Sequence, residues 1–232
     1  MDALFFGSIG AIAETSERQR QAFNRAFSEA GVALEWQEAQ YRDLLGSSGG
    51  ANRIRDEAAR AGLDLSEEQV KALHMRKTQI FDTGLKDDPL EPRPGVVRLL
   101  REARQNNIPT AFVTTTSSDN VDALLASASD HLKPEMFDLI ITRDMVSAGK
   151  PDPEAYQLAM ERLGVTAPVV IEDSPPSLKA ARGAGLATLV TPGAYHTGRD
   201  FDGAIAVVPH LDDRGDGQPV DLDWLRGKAD MG

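Results

Sequence analysis

The chain has 232 residues, a formal net charge of −11, 41% hydrophobic residues and 26% charged residues. That balance suits a globular protein and not a disordered one, and the negative charge argues against broad binding to a nucleic-acid backbone. With no cysteine present, disulfides, thiolate zinc sites and thiol nucleophiles are excluded.

Residues 3–7 (ALFFG) read as a buried strand that runs into Gly7-Ser8-Ile9-Gly10-Ala11, a turn with no charged side chain. Beyond Thr15, the residues Ala22, Phe23, Ala26 and Phe27 share one helical face. Helical patterns dominate to about residue 84, including 54–62 and 66–81, the latter opening on Ser66 as a helix cap. From Pro92 onward the texture alternates. Helices are expected at 95–106, 119–128, 153–164 and 175–185, with strands at 110–114, 137–142, 168–172 and 187–191. Such alternation predicts βαβ units. The expected fold is α/β, a doubly wound, Rossmann-like parallel sheet core over 1–14 and 85–232, with an α-helical cap inserted at 15–84. The tail after Pro209 is acidic and Gly-rich and reads as loosely attached, with Leu222 and Trp224 as anchors. No apolar run approaches the ~20 residues of a membrane span, and the N-terminus lacks a secretion signal. A cytoplasmic location without membrane contact is expected.

In such sheets, ligands bind beyond the carboxyl ends of the strands. Those ends carry Gly7-Ser8-Ile9, Thr114-Thr115, Gly149-Lys150-Pro151 and Glu172-Asp173-Ser174. A hydroxyl, an ammonium and an acidic pair together suit a phosphate and a divalent cation. Singly, each has a plainer reading, since Asp173 or Ser174 before Pro175 is also a good helix start. Strand alternation turns the Ser8 side chain away from Gly7 and Ile9. His74, His131, His196 and His210 lack metal-ligand or triad spacing and read as surface residues. The stretch 46–50 (GSSGG) matches G-x-S-x-G but lacks the preceding strand that a nucleophile elbow requires. Its glycines read as a turn near the ligand.

The stretch GKPDPEAYQLAMERLGV followed by VVIEDSPPSLKAARGAGL resembles the later motifs of haloacid dehalogenase-like phosphohydrolases. GSSGGANRI, HMRKT, PRPGVVRLL, VTTTSSDNV and VTPGAYHTGRDF resemble the CbbY-like branch, which includes xylulose bisphosphate phosphatases and relatives of β-phosphoglucomutase. The resemblance spans nearly the whole chain and implies a sheet core with a helical cap inserted after the first strand. It also implies a D-x-D-x-T motif, in which the first Asp attacks phosphorus and the second moves the proton. Gly7, Ile9 and Ala11 stand at those positions, so no catalytic residue is intact. The family's cap His falls on Gln19 and a cap Lys on Ala51, with Arg53 nearby. On the same footing, Thr114, Thr115 and Lys150 are the implied phosphate groups. Glu172 and Asp173 form the implied magnesium side, while Gly49, Gly50, Arg53 and Lys77 form the cap side. Magnesium binding is expected to be weak, because the family's first Asp is also a ligand.

Without those carboxylates the aspartyl-phosphate route lacks both its nucleophile and its proton carrier. Lys150 is left facing a carboxylate gap, which favours a phosphate or sulfate bound to Lys150, Thr114 and the amides of 8–11. The sequence therefore suggests an impaired relative of sugar-phosphate phosphatases and phosphoglucomutases. Its expected ligand is a phosphorylated small molecule or inorganic anion, or else a protein partner. The alternatives are an active phosphosugar hydrolase with a non-standard nucleophile or water, and a structural interaction domain.

Overall fold

The computed structural model describes residues 1–46, 49–128 and 131–231. The chain opens with β1 (Leu4–Phe6), buried along its whole length, followed by a single helical turn, α1 (Ile9–Ile12). It divides into two compact units, Met1–Glu14 with Leu90–Gly232, and Thr15–Pro89.

The inserted unit holds α2 (Ser16–Glu29), α3 (Glu38–Leu44), α4 (Gly50–Arg60) and α5 (Glu67–Asp87), with no strand among its described residues. Phe23, Phe27, Trp36 and Tyr41 form its aromatic centre, with Phe23 and Trp36 ring centroids 4.7 Å apart and Trp36 stacked on Tyr41 at 5.6 Å. A capping box starts α5, in which the Ser66 side chain accepts from Gln69 N and the Gln69 side chain accepts from Ser66 N. Two backbone donors are thereby satisfied at the helix start. The helix then runs through Gly84 to Asp87, so the insert ends at Pro89 and not at Gly84.

The other unit adds α6 (Val96–Gln105), β2 (Thr110–Val113), α7 (Ser118–Ser127), β3 (Leu139–Ile141), α8 (Glu154–Leu163), β4 (Val169–Glu172), α9 (Pro175–Gly183), β5 (Ala187–Val190), β6 (Ala206–Val207) and α10 (Leu222–Ala229). The sheet order is β3-β2-β1-β4-β5-β6, and every pairing is parallel. Parallel strands covered on both faces read as unbroken apolar runs, which is how the central strands stand out in the sequence. Phe5, Ala111, Val113, Ile141, Tyr156, Val170 and Ala180 belong to one buried cluster. The order reverses between β1 and β4, which creates the crevice where such sheets bind ligands. Phe6 pairs with Ile171, so Gly7 lies beside the end of β4 and donates its N–H to Ile171 O at 2.9 Å.

Two expectations need correction. The sheet has a sixth strand, β6, whose two residues are too short for a periodicity signal. The tail is docked and not loose. Leu211, Val220, Leu222 and Leu225 are buried. Arg98 on α6 donates to Leu211 O at 2.7 Å and to Val220 O at 2.8 Å. One guanidinium thus bridges two carbonyls of the tail, of which Leu211 O also accepts from Val220 N.

Gly95, in front of α6, has φ +87°, and a Cβ there would lie 2.6 Å from the backbone carbon of Leu211. Gly95→Ala is expected to cost about 1–3 kcal/mol in urea unfolding. An unchanged midpoint would contradict this backbone packing.

Candidate functional site

At the switch point, Lys150 is buried and almost surrounded by oxygen. Its Nζ donates to Glu172 Oε1 at 2.7 Å, Val113 O at 2.9 Å, Tyr156 OH at 3.0 Å and Gly7 O. Those are four acceptors for three protons. The Tyr156 hydroxyl also donates to Glu172 Oε1. Glu172 is completely buried at the end of β4, and its Oε2 accepts from the Asp173 N–H at 3.3 Å. From the sequence, Lys150 is expected to hold a phosphate across an open gap. The structure places Glu172 there.

Ser8 also departs from expectation. Its Oγ lies 2.5 Å from Asp173 Oδ1 and 2.9 Å from Glu172 Oε2, so its hydroxyl proton is shared between the acidic pair. Ser8 lies beyond the end of β1 at Phe6, immediately before α1, and its side chain makes no capping bond to that turn. Around Asp173 stands a second group. Arg93 donates to Gly10 O, Thr191 O and Pro192 O, and a Cβ at Gly193 would meet Asp173 Oδ2, Glu14 Oε2 and His196 Cδ2 within 3.6 Å. His196 is buried and not a surface residue.

Burial drives the electrostatics. It pushes the Asp173 and Glu172 carboxyls up, although the Ser8 hydroxyl and the Arg93 charge oppose this at Asp173, and Lys150 opposes it at Glu172. Burial and the adjacent carboxylates raise the Tyr156 phenol far above its usual range, so it remains a donor. His196 is pushed down by burial. Thr114 is buried, with its hydroxyl accepting from Thr116 N at 3.2 Å, while Thr115 Oγ1 accepts from Lys150 N at 3.5 Å. The first is a local turn contact, while the second joins segments 35 positions apart. Ile9 contributes no polar atom, and Ala11 is buried.

In the helical insert, Arg53 lies 5.8 Å over the Tyr41 ring, and its Nε and Nη1 are buried with no hydrogen-bond partner. Lys77 is buried between the Phe23 and Phe81 rings, at 4.9 and 5.2 Å from their centroids, and donates to Gln19 Oε1. Burial, helped by the Arg53 charge, lowers the Lys77 pKa from 10.5 to about 7. Gly49 precedes α4 with φ +94°. A Cβ at Gly50 would lie 2.6 Å from His74 Nε2, so that contact needs glycine. Ser47 and Ser48 of the GSSGG stretch lie outside the described residues.

The structure therefore brings Lys150, Glu172, Asp173, Thr114 and Thr115 to one end of the sheet, and Arg53 and Lys77 together within the insert. Sequence reasoning missed Tyr156, Arg93 and the role of Ser8. Tyr156 lies near Lys150 in the sequence, but its helix pattern marks it only as core. Among the described residues, no three His, Asp or Glu side chains stand together as metal ligands. With Glu172 engaged by Lys150, Tyr156 and Ser8, the donor set does not fit a six-oxygen magnesium shell. No helix among the described residues is long and apolar enough to cross a membrane.

The family model for haloacid dehalogenase-like hydrolase matches residues 1–185. Protein CbbY of Cereibacter sphaeroides is 38% identical over 206 residues, covering 88% of this chain and 90% of the relative. The crystal structure of CbbY from Rhodobacter sphaeroides in complex with phosphate has a TM-score of 0.88 at 35% identity, covering 97% of this chain and 99% of that one. A mutant of the same protein in complex with Xylulose-(1,5)bisphosphate has a TM-score of 0.87 at 36% identity, with the same coverage. By sequence and by fold, the chain belongs to the haloacid dehalogenase-like hydrolase family, on its CbbY-like branch.

Proposed function

We propose that this chain binds a phosphorylated small molecule of the sugar-phosphate class and lacks aspartyl-phosphate chemistry. The observation that carries the reading is the occupancy of Lys150. Every proton on its Nζ has an acceptor within the chain, while positions 7 and 9 hold Gly and Ile. Positions 7 and 9 supply no anionic oxygen to attack phosphorus and no side chain that carries a proton to a leaving group. Removing the nucleophile from other covalent enzymes costs on the order of a million-fold in rate. Magnesium loses its purpose along with its donor set.

Binding is assigned to the insert. Arg53 Nε and Nη1 are buried with no partner among the described residues, and guanidinium N–H groups are strong donors to phosphate. Lys77 adds a second donor beside it. The phosphate and bisphosphate in the related crystal structures agree with this ligand class. A second reading rests on Ser8, whose Oγ approaches Asp173 Oδ1 at 2.5 Å as a hydroxyl approaches its base. Two buried carboxylates around Ser8 repel a phosphate dianion, so this reading ranks below the first.

With magnesium and a panel of sugar phosphates, phosphate release is expected to stay at background. Robust turnover would overturn the reading, and its loss in Ser8→Ala would establish the second one. Xylulose 1,5-bisphosphate is expected to give calorimetric binding that Arg53→Ala weakens by about tenfold or more, the worth of a charged hydrogen bond. Binding unaffected by Arg53→Ala would remove the insert from the proposal.

The Lys77 pKa also sets a pH dependence. Below about 7 the ammonium is present and pairs with an anion; above it, the ligand must bring the proton back. Affinity for the bisphosphate is expected to fall as pH rises from 7 to 9, by at most about tenfold per unit. Lys77→Met is expected to bind more weakly at pH 6 and to show a flat profile above 7. A wild-type profile that is flat or rising over this range would contradict that role.

A further inference from the structure

The backbone at Gly7 is crowded although it carries no side chain. A Cβ there would lie 2.1 Å from Glu172 Oε1, 2.4 Å from Glu172 Cδ and 2.1 Å from Tyr156 OH. Those distances are far inside van der Waals contact. The space that a side chain at position 7 needs is therefore filled by the Glu172 carboxylate and the Tyr156 hydroxyl. Glu172 is held there from several sides. Lys150 and Tyr156 donate to Oε1, Ser8 reaches Oε2, and the Asp173 N–H also points to Oε2.

The charges explain the arrangement. A buried ammonium needs an anion close by, since one left unpaired in a low-dielectric interior is strongly destabilising. Among the charged groups facing this end of the sheet, Lys150 and Arg93 are positive, and Glu172, Asp173 and Glu14 are negative. The positive charges are already matched or exceeded. A phosphate dianion or a further carboxylate adds repulsion with no cation left to receive it.

We propose that Glu172 is an internal counter-ion. Its carboxylate occupies, in cis, the place beside Lys150 that a carboxylate at position 7 would take, and thereby closes the core end of the sheet to external oxyanions. Tyr156 and Ser8 are the positioning residues that keep Glu172 there. Gly7 and Glu172 then act as one unit, because only a residue without Cβ leaves room for the carboxylate. This claim concerns the core alone and does not depend on ligand binding by the insert. It also sets the order in which a carboxylate can be introduced at position 7: Glu172 has to leave first.

A double-mutant cycle tests the exchange, read by thermal melting. Gly7→Asp is expected to lower Tm by roughly 10 °C, since it collides with Glu172 and adds a second buried anion, and Glu172→Ala by a similar amount, since it strands Lys150. With Tyr156→Phe as the common background, which removes the other atom 2.1 Å from a Cβ at position 7, the combined Gly7→Asp, Glu172→Ala variant is expected to melt higher than either change alone. The neutral isostere Gly7→Asn, combined with Glu172→Ala, is expected to recover much less, which separates charge from volume. If Glu172→Ala alone does not fold, recovery of a cooperative melt by adding Gly7→Asp, but not Gly7→Asn, is the supporting result. Additive losses, equal recovery by Asp and Asn, or a Gly7→Asp variant as stable as the wild type would each overturn the proposal.

Discussion

The ion pair between Lys150 and Glu172, 2.7 Å apart with both side chains shielded from water, is the constraint on which the switch point depends. An ammonium taken out of water loses hydration that only a close anion and good acceptors replace. Here the anion is Glu172, and Gly7, Val113 and Tyr156 supply the remaining oxygens. Each of these atoms comes from a different strand end or from α8, so the pair fastens β1, β2, β4 and α8 at one point. The fold holds the charges, and the charges in turn fix the strand ends.

The same pairing separates two kinds of positive charge in the chain. Lys150 is matched inside the protein, with four acceptors around its Nζ. Arg53 is the opposite case, with its Nε and Nη1 buried and no acceptor for them among the described residues. Leaving such donors unmet is costly, and proteins retain that cost where a ligand removes it. Lys77 sits between aromatic rings with a neutral amide as its acceptor, which explains why its proton is easily lost. A charge that has been neutralised and a charge still waiting for a partner have different uses. Here the neutralised charge, Lys150, is in the sheet unit, and the buried Arg53 N–H groups are in the helical insert.

Much of this was legible in the sequence, for definite reasons. The central strands announce themselves because buried parallel strands are apolar throughout. The residues at their ends can be grouped from the sequence, because a parallel sheet brings those ends together. Their partnerships were not legible. Lys150 and Glu172 are separated by 22 positions, and nothing in either motif says that one answers the other. The partners of Ser8, Glu172 and Asp173, lie more than 160 positions away, and no local rule names them. The tail looked loose because its composition is acidic and Gly-rich, whereas Arg98 on a distant helix supplies the donors it needs. Sequence patterns report periodicity well. They report the other half of a polar contact poorly.

The most direct measurement is a crystal structure of the protein grown and soaked at high phosphate concentration, refined at the end of β4. Internal pairing predicts that the Glu172 carboxylate stays on Lys150 and Tyr156, with no anion on the Lys150 ammonium. A phosphate bonded to Lys150, with Glu172 turned away from the space beside Gly7, would contradict it.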